Sequence, residues 1–103
     1  MIAPGAPSAR LVRHEMALTA PELHRLAPRI VEPDAVEIAP RAVSGRWGRA
    51  GRWTIAIGPQ RERVIALMRI AIADVEIRLD GLDDAEAAAF LDRFRRVFQK
   101  GGG

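Results

Sequence analysis

DDAEAAAFLDRFRRVFQK, residues 83–100, is the most informative stretch of the chain, because its pattern is typical of an amphipathic helix. Asp83 can cap the first backbone N–H groups, and Glu86 stands at the position that completes a capping box. Basic side chains fill the last turns, where they oppose the helix dipole, and Gly101 is expected to end the helix. The apolar stripe contains every phenylalanine of the chain and should face the core: Ala87, Phe90, Leu91, Phe94, Val97 and Phe98.

The length and composition are those of one globular domain. The chain has 103 residues, of which 49% are hydrophobic and 28% charged. It has no cysteine, which excludes disulfides and thiolate metal sites. Residues 1–8 are rich in Pro, Gly and Ala, and we expect a disordered tail there. Residues 9–100 should form a single α+β domain, and residues 101–103 a flexible glycine tail.

The first half of the chain predicts a strand, a short helix and further strands. Residues 9–18 alternate apolar and charged side chains, which is typical of a strand. Thr19 and Glu22 have the spacing of a capping box, and the helix that they begin should stop near Ala27, because Pro28 cannot continue it. The next segments predict a brief strand at residues 35–38, a Gly- and Arg-rich hairpin connection at 44–51, and a strand at 52–57.

Residues 61–79 fit two patterns. At a period of two they give a strand at 63–69 and another at 73–79, whereas at a period of 3.6 one helix face is apolar. Isoleucine and valine are frequent here and favour strands, so we prefer the two-strand interpretation. The predicted order is β-α-β-β-β-β-α, a small α+β domain with a mostly antiparallel sheet of about four to five strands and both helices on one face.

The charges lie in blocks of alternating sign, although the net charge is only +3. Residues 41–69 hold seven arginines against one acid, and residues 70–92 hold seven acids against one arginine. Such blocks favour partners of either charge, or complementary contacts between copies of the chain.

The triplet Gly-Arg-Trp occurs twice within residues 41–53 and contains both tryptophans of the chain. Indole rings can stack on bases and guanidinium groups can pair with phosphates, which makes the segment a candidate site for an anionic partner such as a nucleic acid. The candidate residues are Arg41, Arg46, Trp47, Arg49, Arg52 and Trp53. The alternative, which we favour, is a Gly-rich turn whose tryptophans pack in the core or at an edge.

The remaining polar residues predict no catalytic site, no metal site and no cofactor. His14 is expected to be half-buried and hydrogen-bonded on its strand, and His24 to be a solvated helix residue. No further ligand stands at a metal-binding spacing from either of them. The acids within residues 74–84 do not follow the pattern of a calcium-binding loop.

The predicted function follows from what these patterns leave open. No apolar run approaches the roughly 20 residues of a membrane-spanning helix, and residues 1–10 lack a signal-peptide core, so we expect no membrane partner and a cytoplasmic location. The Arg-rich, Lys-poor composition suggests a bacterial source. We expect a non-enzymatic interaction or assembly module that self-associates, as a homodimer, through a sheet edge or the charge blocks. Its partner is therefore a second copy of the chain or another protein. The alternative is a nucleic-acid-binding module that uses residues 41–53.

Overall fold

Six strands and two α-helices make up the part of the chain described by a computed structural model, residues 9–31 and 35–102. The elements are β1 (Arg10–Met16), α1 (Ala20–Leu26), a 3₁₀ turn (Ala27–Ile30), β2 (Val36–Ala39), β3 (Ala42–Trp47), β4 (Gly51–Ile57), β5 (Arg61–Ile65), β6 (Met68–Asp80) and α2 (Asp84–Gly102). The α+β class and the order of elements are confirmed, with one strand more than expected. The tail predicted at residues 1–8 lies outside the described residues.

All strand pairs are antiparallel, and the main sheet has the order β1-β6-β4-β3-β2. The long central strand β6 has 13 residues and changes partners along its length. Its residues 73–79 pair with β1, whereas residues 68–72 pair with β5. The sheet therefore has β1 at one edge and β2 at the other, and the β5–β6 hairpin extends from it.

The additional strand is β3, which occupies part of the segment predicted to be a hairpin connection. Residues 44–47 belong to β3 and Gly51 opens β4, so only residues 48–50 form the turn. Gly48 has a φ of 71°, and it alone supplies the left-handed conformation that a tight turn needs. The prediction was wrong because Gly and Arg suggested a loop by composition, although the other glycines lie inside paired strands.

The two-strand interpretation of residues 61–79 is confirmed, with a different break point. The hairpin turns at Ala66 and Leu67, several residues before the predicted gap at 70–72. Ala66 has a φ of 54°, a conformation for which glycine is the usual residue. Since no glycine or asparagine marks this turn, the sequence carried no signal for it.

The beginnings of both helices match their predicted caps. The Thr19 hydroxyl accepts from the backbone N–H of Glu22, and α1 gives way to the 3₁₀ turn at Ala27, one residue before Pro28. At α2, the backbone N–H of Glu86 donates to the Asp83 carboxylate at 2.7 Å. The Glu86 carboxylate in turn accepts from the backbone N–H of Asp83 at 3.0 Å.

The predicted end of α2 was wrong, because the helix continues through Gly101 to Gly102. Glycine permits a left-handed stop without imposing one, since it adopts right-handed helical angles as well. The flexibility of residues 101–103 stays a prediction, and Gly103 lies outside the described residues.

Both helices cover one face of the sheet, and the phenylalanine stripe is buried against it as predicted. Phe90, Phe94 and Phe98 have at most 4% of their surface exposed. They belong to a single apolar cluster that also holds side chains from α1, the 3₁₀ turn and the inner positions of the sheet. The most deeply buried large side chains are Trp53, Phe90, Leu23, Leu26, Ile55, Ile77, Leu79 and Leu82.

The hairpin of residues 61–72, which we call the arm, exposes apolar side chains instead. Its two strands pair with each other, whereas the main sheet continues on residues 73–80 of β6. Leu67 at the turn is fully exposed, and its apolar neighbours are more than half exposed: Val64, Ile65 and Met68. The arm therefore carries four of the six exposed large apolar side chains among the described residues.

Candidate functional site

The two Gly-Arg-Trp triplets lie opposite each other on β3 and β4. Gly45 pairs with Trp53 and Trp47 pairs with Gly51, so each tryptophan faces the glycine of the other triplet. The arginines at the centre of each triplet are paired as well. A six-residue spacing around a three-residue turn produces this reciprocal register. Gly45 leaves room for the indole of Trp53, whereas Gly51 leaves room for the side chain of Leu82 and the backbone oxygen of Trp47.

Trp53 is entirely buried, with 0% of its surface exposed. A Cβ added at Gly45 would lie 2.9 Å from its indole ring, which shows how closely the ring crosses that glycine. The ring of Phe90 packs against it on α2, with centroids 5.4 Å apart. Trp53 therefore offers no ring face to a nucleobase in this conformation.

Trp47 is half-buried and is fixed to the start of α2. Its indole N–H donates to the backbone oxygen of Glu86 at 3.0 Å, and its ring meets Phe90 edge to face at 5.4 Å. The Glu86 carboxylate also accepts from the backbone N–H of Arg49 at 2.9 Å and lies against Gly48. These contacts tie the hairpin turn to the helix, so both tryptophans of the candidate site hold the fold together.

The four arginines of the candidate site do not all come together. Arg46, Arg49 and Arg52 gather near the β3–β4 turn, around a shallow cavity of about 270 Å³. Arg41 lies at the opposite end of β3, five residues and roughly 17 Å from Arg46. Arg52 forms an ion pair with Glu37 at 3.6 Å. The cluster can attract an anion by charge, but it has no aromatic platform beside it.

The two histidines occupy environments opposite to those predicted. His14 is exposed on β1, where its ring stacks on Phe94 with centroids 6.5 Å apart. β1 is an edge strand, so the ring stays exposed although Phe94 of α2 lies beside it. His24 is half-buried, and its Nε2 lies 2.8 Å from the backbone oxygen of Ala39. Hydrophobic alternation places a residue on a face, but it does not reveal which strand is at the edge.

A group of charged side chains joins β1, β5 and β6 on the sheet face away from the helices. Glu15 accepts from Arg61 at 2.5 Å and from Arg63 at 2.6 Å, and Arg61 also donates to Asp74 at 2.9 Å. The hydrogen bond from Arg61 holds the pKa of the Asp74 carboxyl below its ordinary value, and the same bond raises the pKa of Arg61. The stabilisation is small, because these groups are exposed to solvent.

Replacing Arg61 should release the Asp74 carboxylate. In Arg61→Gln we expect the pKa of Asp74 to rise toward its ordinary value, measured by NMR titration of the side-chain carboxyl. Because the folded pKa is the depressed one, this pair stabilises the fold above the unfolded pKa of Asp74, and its contribution is lost as pH falls through the folded pKa. Arg69→Gln is the control, because Arg69 pairs with Glu62 instead. An unchanged Asp74 titration in Arg61→Gln would contradict the assignment.

The two edges of the sheet differ in how well they are protected. β2 has four residues and is followed at once by Pro40, and short strands and prolines are common devices against edge pairing. β1 has seven residues in continuous register with β6 and contains neither proline nor glycine. Within the described residues, no strand pairs with the outer side of β1. The sequence shows the opposite charges of Arg13 and Glu15, but it does not show that β1 lies at an edge of the sheet.

The described ranges contain no group of three or more histidine, aspartate or glutamate side chains that could hold a metal ion. In the same ranges, no helix is long and apolar enough to cross a bilayer. Comparison of the chain with known protein families, curated proteins and solved structures finds no match.

Proposed function

We propose that the chain is a non-enzymatic interaction module that self-associates, and that β1 is the strand that meets a second copy. The observation that carries the proposal is the long, regular edge of β1, in contrast to the protected edge of β2 at the other side of the sheet. A strand edge presents a row of backbone donors and acceptors, and another strand satisfies them best. The non-enzymatic part rests on the candidate residues, because guanidinium and indole groups are not among those that serve as general acids or bases.

The hydrogen-bond directions in the sheet identify which residues of β1 face outward. The backbone N–H of Gly58 donates to the oxygen of Asp74 at 2.9 Å, so Asp74 directs its backbone groups toward the β4 side of β6. Successive residues of a strand alternate sides, and therefore Ala73 and Val75 bond to β1. Their partners on β1 are Met16 and His14. By the same alternation along β1, three residues direct their N–H and C=O groups to the open edge: Leu11, Arg13 and Glu15.

A proline at position 13 should prevent self-association without removing a bond inside the subunit. The Arg13 N–H points outward, and proline is tolerated on an edge strand where the missing N–H faced solvent. We expect light scattering coupled to size exclusion to give twice the 11.3 kDa monomer mass for the wild-type chain and the monomer mass for Arg13→Pro.

Arg13→Ala is the matched control, because it also removes the ion pair of Arg13 with Glu76 but keeps the backbone donor. This variant should retain a larger share of dimer than Arg13→Pro at equal concentration. Circular dichroism and thermal unfolding verify that both variants are folded. A wild-type chain that stays monomeric at high micromolar concentration would overturn the proposed function.

A further inference from the structure

The geometry points to one register for the pairing of two copies, an antiparallel alignment of β1 with β1 in which His14 lies on the two-fold axis. This inference rests on the proposed self-association and specifies its interface. Arg13 of each copy lies opposite Glu15 of the other, and Val12 lies opposite Met16. The seam extends the sheet of one copy into the sheet of the second.

Hydrogen bonding restricts the registers that are available. Outward backbone groups belong to Leu11, Arg13 and Glu15, and an antiparallel ladder must join outward groups to outward groups. Each allowed register therefore places one residue of β1 on the two-fold axis, and a shift to the next allowed register moves each cross-strand partner by two residues. A shift by one residue would place inward-directed groups opposite outward ones.

Charge selects one register among those allowed. With Arg13 on the axis, two arginines lie directly opposite each other, and with Glu15 on the axis two glutamates do. Like charges in such positions are destabilising, whereas opposite charges stabilise the pair. Only with His14 on the axis does Arg13 meet the second copy's Glu15, and two-fold symmetry makes that contact twice. Each arginine then lies between Glu76 of its own subunit and the second copy's Glu15.

The apolar side of the same register is complementary as well. Val12 and Met16 are half-buried and pack against the edge of the core. Met16 also lines a groove of about 310 Å³ between β1 and α2, together with Phe94 and Phe98. In this register Val12 of one copy lies opposite Met16 of the other on both sides of the axis. The pairing therefore covers apolar surface on the helix side and joins charges on the other side.

The absence of cysteine from the chain allows the register to be tested by disulfide formation. Residues on the axis form a non-hydrogen-bonded pair with Cα atoms roughly 4.5 Å apart, which is within the range of a disulfide. In His14→Cys we expect an intermolecular disulfide to form under mild oxidation, seen as a dimer on a non-reducing gel and by intact mass. Leu11→Cys is the control, because it is exposed on the same strand but would lie roughly 20 Å from its copy.

Cross-linking and light scattering together distinguish a wrong register from a failure of self-association. A disulfide in His14→Cys, with little in Leu11→Cys, supports the register. If the wild-type chain is dimeric but His14→Cys does not cross-link, the register is wrong while self-association stands. Equal cross-linking at both positions also overturns the register, because one alignment cannot place both residues on the axis. If the wild-type chain is monomeric by light scattering, the inference and the proposed function fail together.

Discussion

Phe90→Ala should lower the free energy of unfolding by about 3–5 kcal/mol, measured by urea denaturation at a fixed protein concentration. Phe90 is fully buried, and its ring contacts both tryptophans of the β3–β4 hairpin. Truncation leaves a cavity at the point where α2 meets the hairpin, so the cost includes lost packing as well as lost burial of the ring. We also expect tryptophan fluorescence to shift toward the red, because both indole rings contact Phe90 and water can reach them through the cavity.

Ala88→Ser serves as the control for this helix, because Ala88 is exposed on the opposite face of α2. Its effect should stay within about 0.5 kcal/mol, as for most surface substitutions. The protein concentration is held constant because self-association would add to the apparent stability. A loss below about 1 kcal/mol in Phe90→Ala would mean that the stripe does not anchor the core.

Gly51→Ala should lower the free energy of unfolding by about 1–3 kcal/mol, because it overpacks the hairpin. The added Cβ would overlap the side chain of Leu82 and lie 2.7 Å from the backbone oxygen of Trp47. A side chain can rotate away, but the backbone oxygen of a paired strand has little freedom to move. The glycine is thus required for its size, at the position where it faces Trp47.

Gly58→Ala is the matched control, because a Cβ there would make only ordinary contacts with Asp74, the nearest at 3.5 Å. This substitution should be neutral or stabilise the chain by up to about 1 kcal/mol through the reduced entropy of the unfolded state. Chemical denaturation of the two variants side by side measures the difference. Equal effects at Gly51 and Gly58 would show that Gly51 is not tightly packed against Leu82 and the backbone of Trp47.

Much of the fold could be predicted because it depends on local chemistry. The phenylalanine stripe of α2, the capping boxes at Thr19 and Asp83 and the stop imposed by Pro28 all act within a few residues along the chain. Strand β3 could not be predicted in the same way. Its Gly45 has low strand propensity, and it is accommodated in the strand because Trp53 packs against it across the sheet.

The candidate site illustrates the limit of composition as a guide to function. The same Gly-Arg-Trp residues would suit nucleic-acid binding or a hairpin, and only their register shows that both tryptophans are engaged in packing. Arg41 was grouped with the other arginines by proximity in sequence, but an extended strand separates it from them. The edge position of β1 could not be predicted from its own residues. A strand lies at an edge when no other strand pairs with its outer side, and that depends on the order of the whole sheet.

The arm should behave as a separate cooperative unit in amide hydrogen exchange. Its strands pair with each other, so the arm can open without breaking the ladders that join β6 to β1 and β4. Local opening needs only a fraction of the free energy of global unfolding when few buried contacts are lost. The amides of β5 should therefore exchange much faster than those of β4, even though both strands lie beside β6. One continuous strand would then carry two levels of protection, with the boundary near Ile72.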